Sequence, residues 1–194
     1  MTEQLPDRTF GWSNMFTATR ESDPREHGDP PVGERDTLVR FLRDYRLTLE
    51  LKCAGLDAAA MAARSVPPSD LSLLGLVRHL AAVEHSWFRR VLAGQSGPRL
   101  YRSADGSSEA FGGATADPAV VAEAWDAWRR EVAFAEQLVA SQEDLGAIIS
   151  FENGLGEQDS ISVRGLLVHM IEEYARHMGH ADFLRERIDG RVGQ

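Results

Sequence analysis

Histidine and glutamate recur at helical spacing near the end of this chain, in the run His169-Met-Ile-Glu-Glu-Tyr-Ala-Arg-His-Met-Gly-His180. At 3.6 residues per turn, steps of three and four return to one face, so His169, Glu173, His177 and His180 form a single stripe. A carboxylate and an imidazole one turn apart let one helix offer two ligands to one metal ion. A tetrahedral catalytic site uses about three protein ligands, often two His and one Glu, and keeps a fourth position open. The chain has 6 His, and three fall in this stripe.

A helical wheel places Leu166, Met170, Tyr174, Ala181 and Leu184 on the apolar side of the same helix. Glu173 and His177 project into that arc, with His169 and His180 nearer its edge. A carboxylate aimed into a core costs several kcal/mol unless it is paired, hydrogen-bonded or metal-bound. Two explanations satisfy it: an ion pair with an Arg of a neighbouring helix, or a metal site built with side chains of a facing helix. The facing candidates lie in Arg78-His-Leu-Ala-Ala-Val-Glu-His-Ser-Trp-Phe88. There the wheel ranks Glu84, deep in the apolar arc, above His79 at its edge. His85 points toward the Arg78/Arg89 side, toward solvent. No Gly-rich phosphate loop precedes a helix, no Ser or Cys sits in a nucleophile motif, and the His-Glu-x-x-His pattern is absent.

Four helices must carry these residues. The first spans about residues 34–61, with Leu38, Phe41, Leu42, Tyr45, Leu49, Cys53 and Leu56 as its buried stripe. The second starts at Ser69 or Ser72 and stops at Gly94. The third starts at Asp117-Pro118, a cap followed by Pro in the first turn, and runs to Ser141. The fourth is capped by Ser162 and ends before Gly190. Residues 94–116 form a long Gly/Ser-rich connection, of a length that is often functional. Residues 145–162 read as a short β-hairpin before the fourth helix. The expected fold is all-α: a four-helix bundle with a long crossover between helices 2 and 3. Residues 34–190 make up that domain. Residues 1–33, rich in Pro, Gly and charge, form an extended or partly disordered arm with an apolar patch at Phe10, Trp12, Met15 and Phe16.

Composition limits the function classes. The 194 residues carry a formal net charge of -9, against a nucleic-acid surface. No apolar run approaches the length of a spanning helix, and the N-terminus lacks a secretory pattern. With 1 Cys, Cys53, no intrachain disulfide forms. The expectation is a cytoplasmic protein without membrane or nucleic-acid partners.

Two segments together resemble the DinB/YfiT-like superfamily, and more closely its mini-circle protein branch of unknown function. They are Leu74-Gly-Leu-Val-Arg-His79-Leu-Ala-Ala-Val-Glu84 through Trp87-Phe88, and His169 through Asp182 with Arg185-Glu186. The resemblance covers about residues 34–190. It implies a bundle, commonly dimeric, with a metal triad of one His from the second helix and two ligands one turn apart on the fourth. Those positions are His79, Glu173 and His177. Glu173 stands where many relatives carry His, and where the thiol-dependent maleylpyruvate isomerases of the superfamily carry Glu. The resemblance thus favours His79 over Glu84, against the wheel, and leaves Glu84, His169 and His180 as candidates for the surrounding shell.

The functional expectation is a divalent-metal enzyme, using zinc, nickel or another divalent ion. It would be a transferase or isomerase that joins a low-molecular-weight thiol to a small electrophile, as a homodimer. The alternative is a non-catalytic metal- or ligand-binding bundle with a stress-related role. In a third reading no metal binds and the stripe is an internal hydrogen-bond network.

Overall fold

The computed structural model describes residues 17, 20–103, 105–153 and 155–193. The apolar patch at Phe10, Trp12, Met15 and Phe16 lies outside the described residues. The described part of the arm forms two single-turn 3-10 helices, Arg20–Ser22 and Pro24–Glu26. Arg25 and Arg43 tie the second turn to the first long helix through Thr48 and the Pro24 carbonyl, at 3.1 and 2.9 Å.

The described chain is mostly helical, with one small antiparallel sheet. Helices α1 (Gly33–Cys53), α2 (Ala58–Ala62) and α3 (Leu73–Glu84) come first, and α3 continues as a π-helical segment, His85–Leu92. Then follow α4 (Pro118–Ala140), strands β1 (Ile148–Glu152) and β2 (Gln158–Ser162), and α5 (Val163–Asp189). The strands pair with Ser150 opposite Ser160. The caps expected from sequence are in place: Ser72, Asp117 and Ser162 each accept a backbone N–H of the first turn. Gly190, left-handed at φ 78°, closes α5.

Helix α1 packs on α5, and α3 packs on both α4 and α5. Leu42, Leu49, Leu76, Leu80, Trp128, Leu166, Met170 and Tyr174 are buried in the shared core. At about 25 cal/mol per Å² of apolar surface, this burial is the main favourable contribution holding the helices together.

Three local expectations change. The first helix does not reach residue 61: it ends at Cys53, Gly55 turns at φ 76°, and Asp57 caps the separate α2. Arg185 of α5 fixes that end, donating to the Lys52 and Ala54 carbonyls at 2.8 and 2.9 Å. Phe41, assigned to the buried stripe, is 55% exposed, because the α5-facing line runs through Leu42 and Leu49. His85 does not point to solvent. It is half-buried, with Nδ1 enclosed and unpartnered among the described residues, and burial lowers its pKa.

Candidate metal centre

Helices α3 and α5 run antiparallel across the seam that carries the candidate residues: His79 lies against His177, and Trp87 lies against His169. His79 comes from the middle of α3. Glu173 and His177 come from successive turns of α5. His79 Nε2 lies 3.0 Å from Glu173 Oε1, and His177 Nε2 lies 3.3 Å from the same oxygen. The imidazoles meet edge to face with centroids 4.6 Å apart. One ligand atom from each of the three lies within 4.8 Å of the others. Hydrogen bonds from His177, then His79, hold the Glu173 carboxyl well below the usual carboxylate range, against the opposing effect of burial.

This donor set suits a small divalent ion. Four ligands at about 2.0–2.1 Å in a tetrahedron stand about 3.3 Å from one another, close to the 3.0 and 3.3 Å that separate His79 and His177 from Glu173. Two imidazoles and one carboxylate match a site with an open position, and Glu173 lacks the Arg partner that the ion-pair explanation requires among its described contacts.

His180 stands behind His177, with Nδ1 facing Nδ1 at 3.2 Å. One nitrogen must donate and the other accept, so this contact couples the tautomers of the two rings. Burial, then the neighbouring His177, lowers the His180 pKa. His169 packs against Trp87 of the π-helical segment, with centroids 4.4 Å apart.

Glu84 is buried as the wheel indicated, and its oxygens are engaged. Arg46 grips it with Nε and Nη2, both at 2.8 Å, and the Tyr174 hydroxyl donates to it at 2.7 Å. Trp128 Nε1 donates to the Tyr174 oxygen at 2.8 Å. This network joins α1, α3, α4 and α5 directly beside Glu173.

The 94–116 connection supplies a contact that sequence reasoning did not identify. Phe111 stacks on His79, with centroids 5.7 Å apart and planes 25° from parallel. Arg78, the residue before His79, holds this connection by donating to the Ala110 and Glu109 carbonyls at 3.0 and 3.1 Å. Gly75 makes room, since a Cβ there would meet Phe111 at 2.4 Å. The available signal was a lone Phe in a Gly/Ser-rich loop.

A protein-family model described as mycothiol-S-transferase matches residues 37–190. The chain belongs to this family. The match spans every helix that carries a candidate residue and agrees with the DinB/YfiT-like resemblance at the superfamily level. It makes the chain a DinB-type protein of the thiol S-transferase kind. A comparison with curated proteins finds no match. No described helix is long and apolar enough to cross a membrane.

Proposed function

We propose that this protein is a divalent-metal-dependent S-transferase that joins a low-molecular-weight thiol, mycothiol being the one its family name carries, to a small electrophile. The observation that carries the proposal is the convergence of His79, Glu173 and His177 from two helices. The long helices form a four-helix bundle that fixes the α3–α5 seam, with the 94–116 segment as its crossover.

His79, Glu173 and His177 hold the ion, for which zinc is the first choice given the two imidazoles and one carboxylate. The ion supplies Lewis acidity that turns a thiol into a nucleophilic thiolate at neutral pH. In the transfer a sulfur–carbon bond forms and the bond to the leaving group breaks. The thiol proton and the leaving group depart together as the acid of the leaving group. The chain's own contribution is position. Glu173 and His177 are set by consecutive turns of α5, His180 holds the His177 tautomer, and Phe111 covers one side of His79 against water.

The fourth-ligand alternative places His180 on the ion and makes the site purely structural. The His180 ring faces His177 Nδ1, away from the Nε2 that faces Glu173, which favours the open site.

Elemental analysis of purified protein beside a His79→Ala/His177→Ala variant tests the reading. The expected result is about one divalent ion per chain, lost in the variant, with mycothiol-dependent consumption of an electrophile by the loaded protein alone. Absence of metal in both, after reconstitution with zinc and nickel, would leave a non-catalytic bundle.

A further inference from the structure

The α3–α5 seam continues past the triad. Because the helices are antiparallel, His79 lies against His177 and Glu173, and Trp87, further along the π-helical segment, lies against His169. The triad occupies one end, and Val83 lies partly buried in the middle. At the other end three aromatic rings from three elements converge. Trp87 of the π-helical segment packs on His169 of α5 at 4.4 Å, with planes tilted by 54°. Trp87 also meets Phe151 of β1 at 5.5 Å, with planes at 72°. None of the three rings is fully buried. Among the described residues the His169 ring nitrogens have no hydrogen-bond partner, although the indole holds the ring in place.

We infer that Trp87, His169 and Phe151 form the binding face for the electrophile, and that the electrophile is a planar conjugated molecule bearing a hydrogen-bond acceptor. The inference rests on the proposed function for the location of the reacting end. His169 lies one helical turn from Glu173, about 6 Å between Cβ atoms, so a small molecule reaches from one to the other. The flat indole, flanked by two tilted rings, accepts a planar group by offset or edge contact. The free His169 nitrogen supplies the one directional contact, to a carbonyl or nitro oxygen. The π register contributes directly: the extra residue per turn rotates Trp87 away from its place in a regular helix, and such segments recur at functional sites.

The test is direct binding of meta-dinitrobenzene, a planar acceptor-bearing probe that has no leaving group, to the full chain as purified. Equilibrium dialysis, which needs no tryptophan reporter, reads the titration, with metal content measured on the same samples. Wild type should bind saturably. Trp87→Ala should weaken binding about tenfold, and Trp87→Phe, which keeps a ring, should recover most of it. His169→Ala should weaken binding about three- to tenfold and His169→Gln, which keeps a donor, should restore it. The His169 pair decides the matter if Trp87→Ala fails to fold. Failure of wild type to bind, or wild-type affinity in both alanine variants, overturns the inference. If metal is present and the alanine variants bind normally, the binding face is wrong and the metal reading stands. If metal is absent and binding still depends on Trp87, the metal reading fails and the binding face stands.

Discussion

His177 has both ring nitrogens committed, one side facing Glu173 and the other facing His180. A metal-ligating imidazole is held in orientation by the partner on its second nitrogen, and removing such a partner typically costs about 10–100-fold in metal affinity. His180→Ala should therefore lower zinc affinity by about that factor and leave the fold intact. Competition with a chelator of known affinity measures it, and unchanged affinity would show that the His177–His180 contact is incidental. Glu173 gives a second prediction, for the metal-free protein. Its native pKa lies below its ordinary value of 4.5, so at low pH the unfolded state binds more protons than the native state. The stabilisation is complete above pH 4.5 and is lost as pH falls through the lowered native value. Thermal melts of wild type and Glu173→Gln should differ most near neutral pH and converge on acidification. A gap that stays constant with pH would rule out the carboxylate's contacts with His177 and His79 as its cause.

Local signals marked the helix starts correctly because the caps at Ser72, Asp117 and Ser162 are satisfied within their own first turns. They marked the end of α1 wrongly because its hydrophobic stripe continues through Leu56, while the break is set by Gly55, Asp57 and distant Arg185. The wheel similarly located Glu84 in the core and had no means of locating Arg46, 38 residues earlier. That pair makes an element-scale prediction. Glu84→Ala should destabilise the protein by about 3–5 kcal/mol, because it leaves the buried Arg46 guanidinium with only the more exposed Glu136, 3.6 Å away, as a charged partner. Arg46→Met with Glu84→Leu should cost much less, since no charge is left unpaired. Urea denaturation compares them, and equal losses would show that packing, not charge, is at stake. Gly75→Ala probes the 94–116 connection. The new Cβ, 2.4 Å from Phe111, displaces that ring from His79. Overpacking of this kind costs about 1–3 kcal/mol. Faster hydrogen exchange confined to residues 94–116 and the N-terminal half of α3 would confirm the local displacement; unchanged exchange would exclude it.

At the scale of the molecule, the metal candidates join two helices separated in sequence by the 94–116 connection, α4 and the two strands. The stripe on α5 was legible in the sequence because Glu173 and His177 lie one turn apart. His79 was not, because its partner lies 94 residues away and the wheel put it at the edge of an apolar arc. The resemblance, not periodicity, singled it out. On the proposed function, that separation would make metal binding a property of the folded chain: the unfolded polymer keeps the α5 pair at helical spacing only transiently and does not hold His79 beside it. An ion that binds the native state alone raises stability by RT ln(1 + [L]/Kd), about 2.7 kcal/mol at a hundredfold excess over Kd. For a chain of this size, that corresponds to a rise of about 5–10 °C in Tm. The rise should vanish with a chelator and be absent in both His79→Ala and His177→Ala. Loss in His177→Ala alone would place the ion on α5 without α3, and the seam would then no longer define the site. Loss in both variants would make the two helices a single binding unit, whose geometry depends on the α3–α5 packing and on the Arg46–Glu84–Tyr174 network beside it.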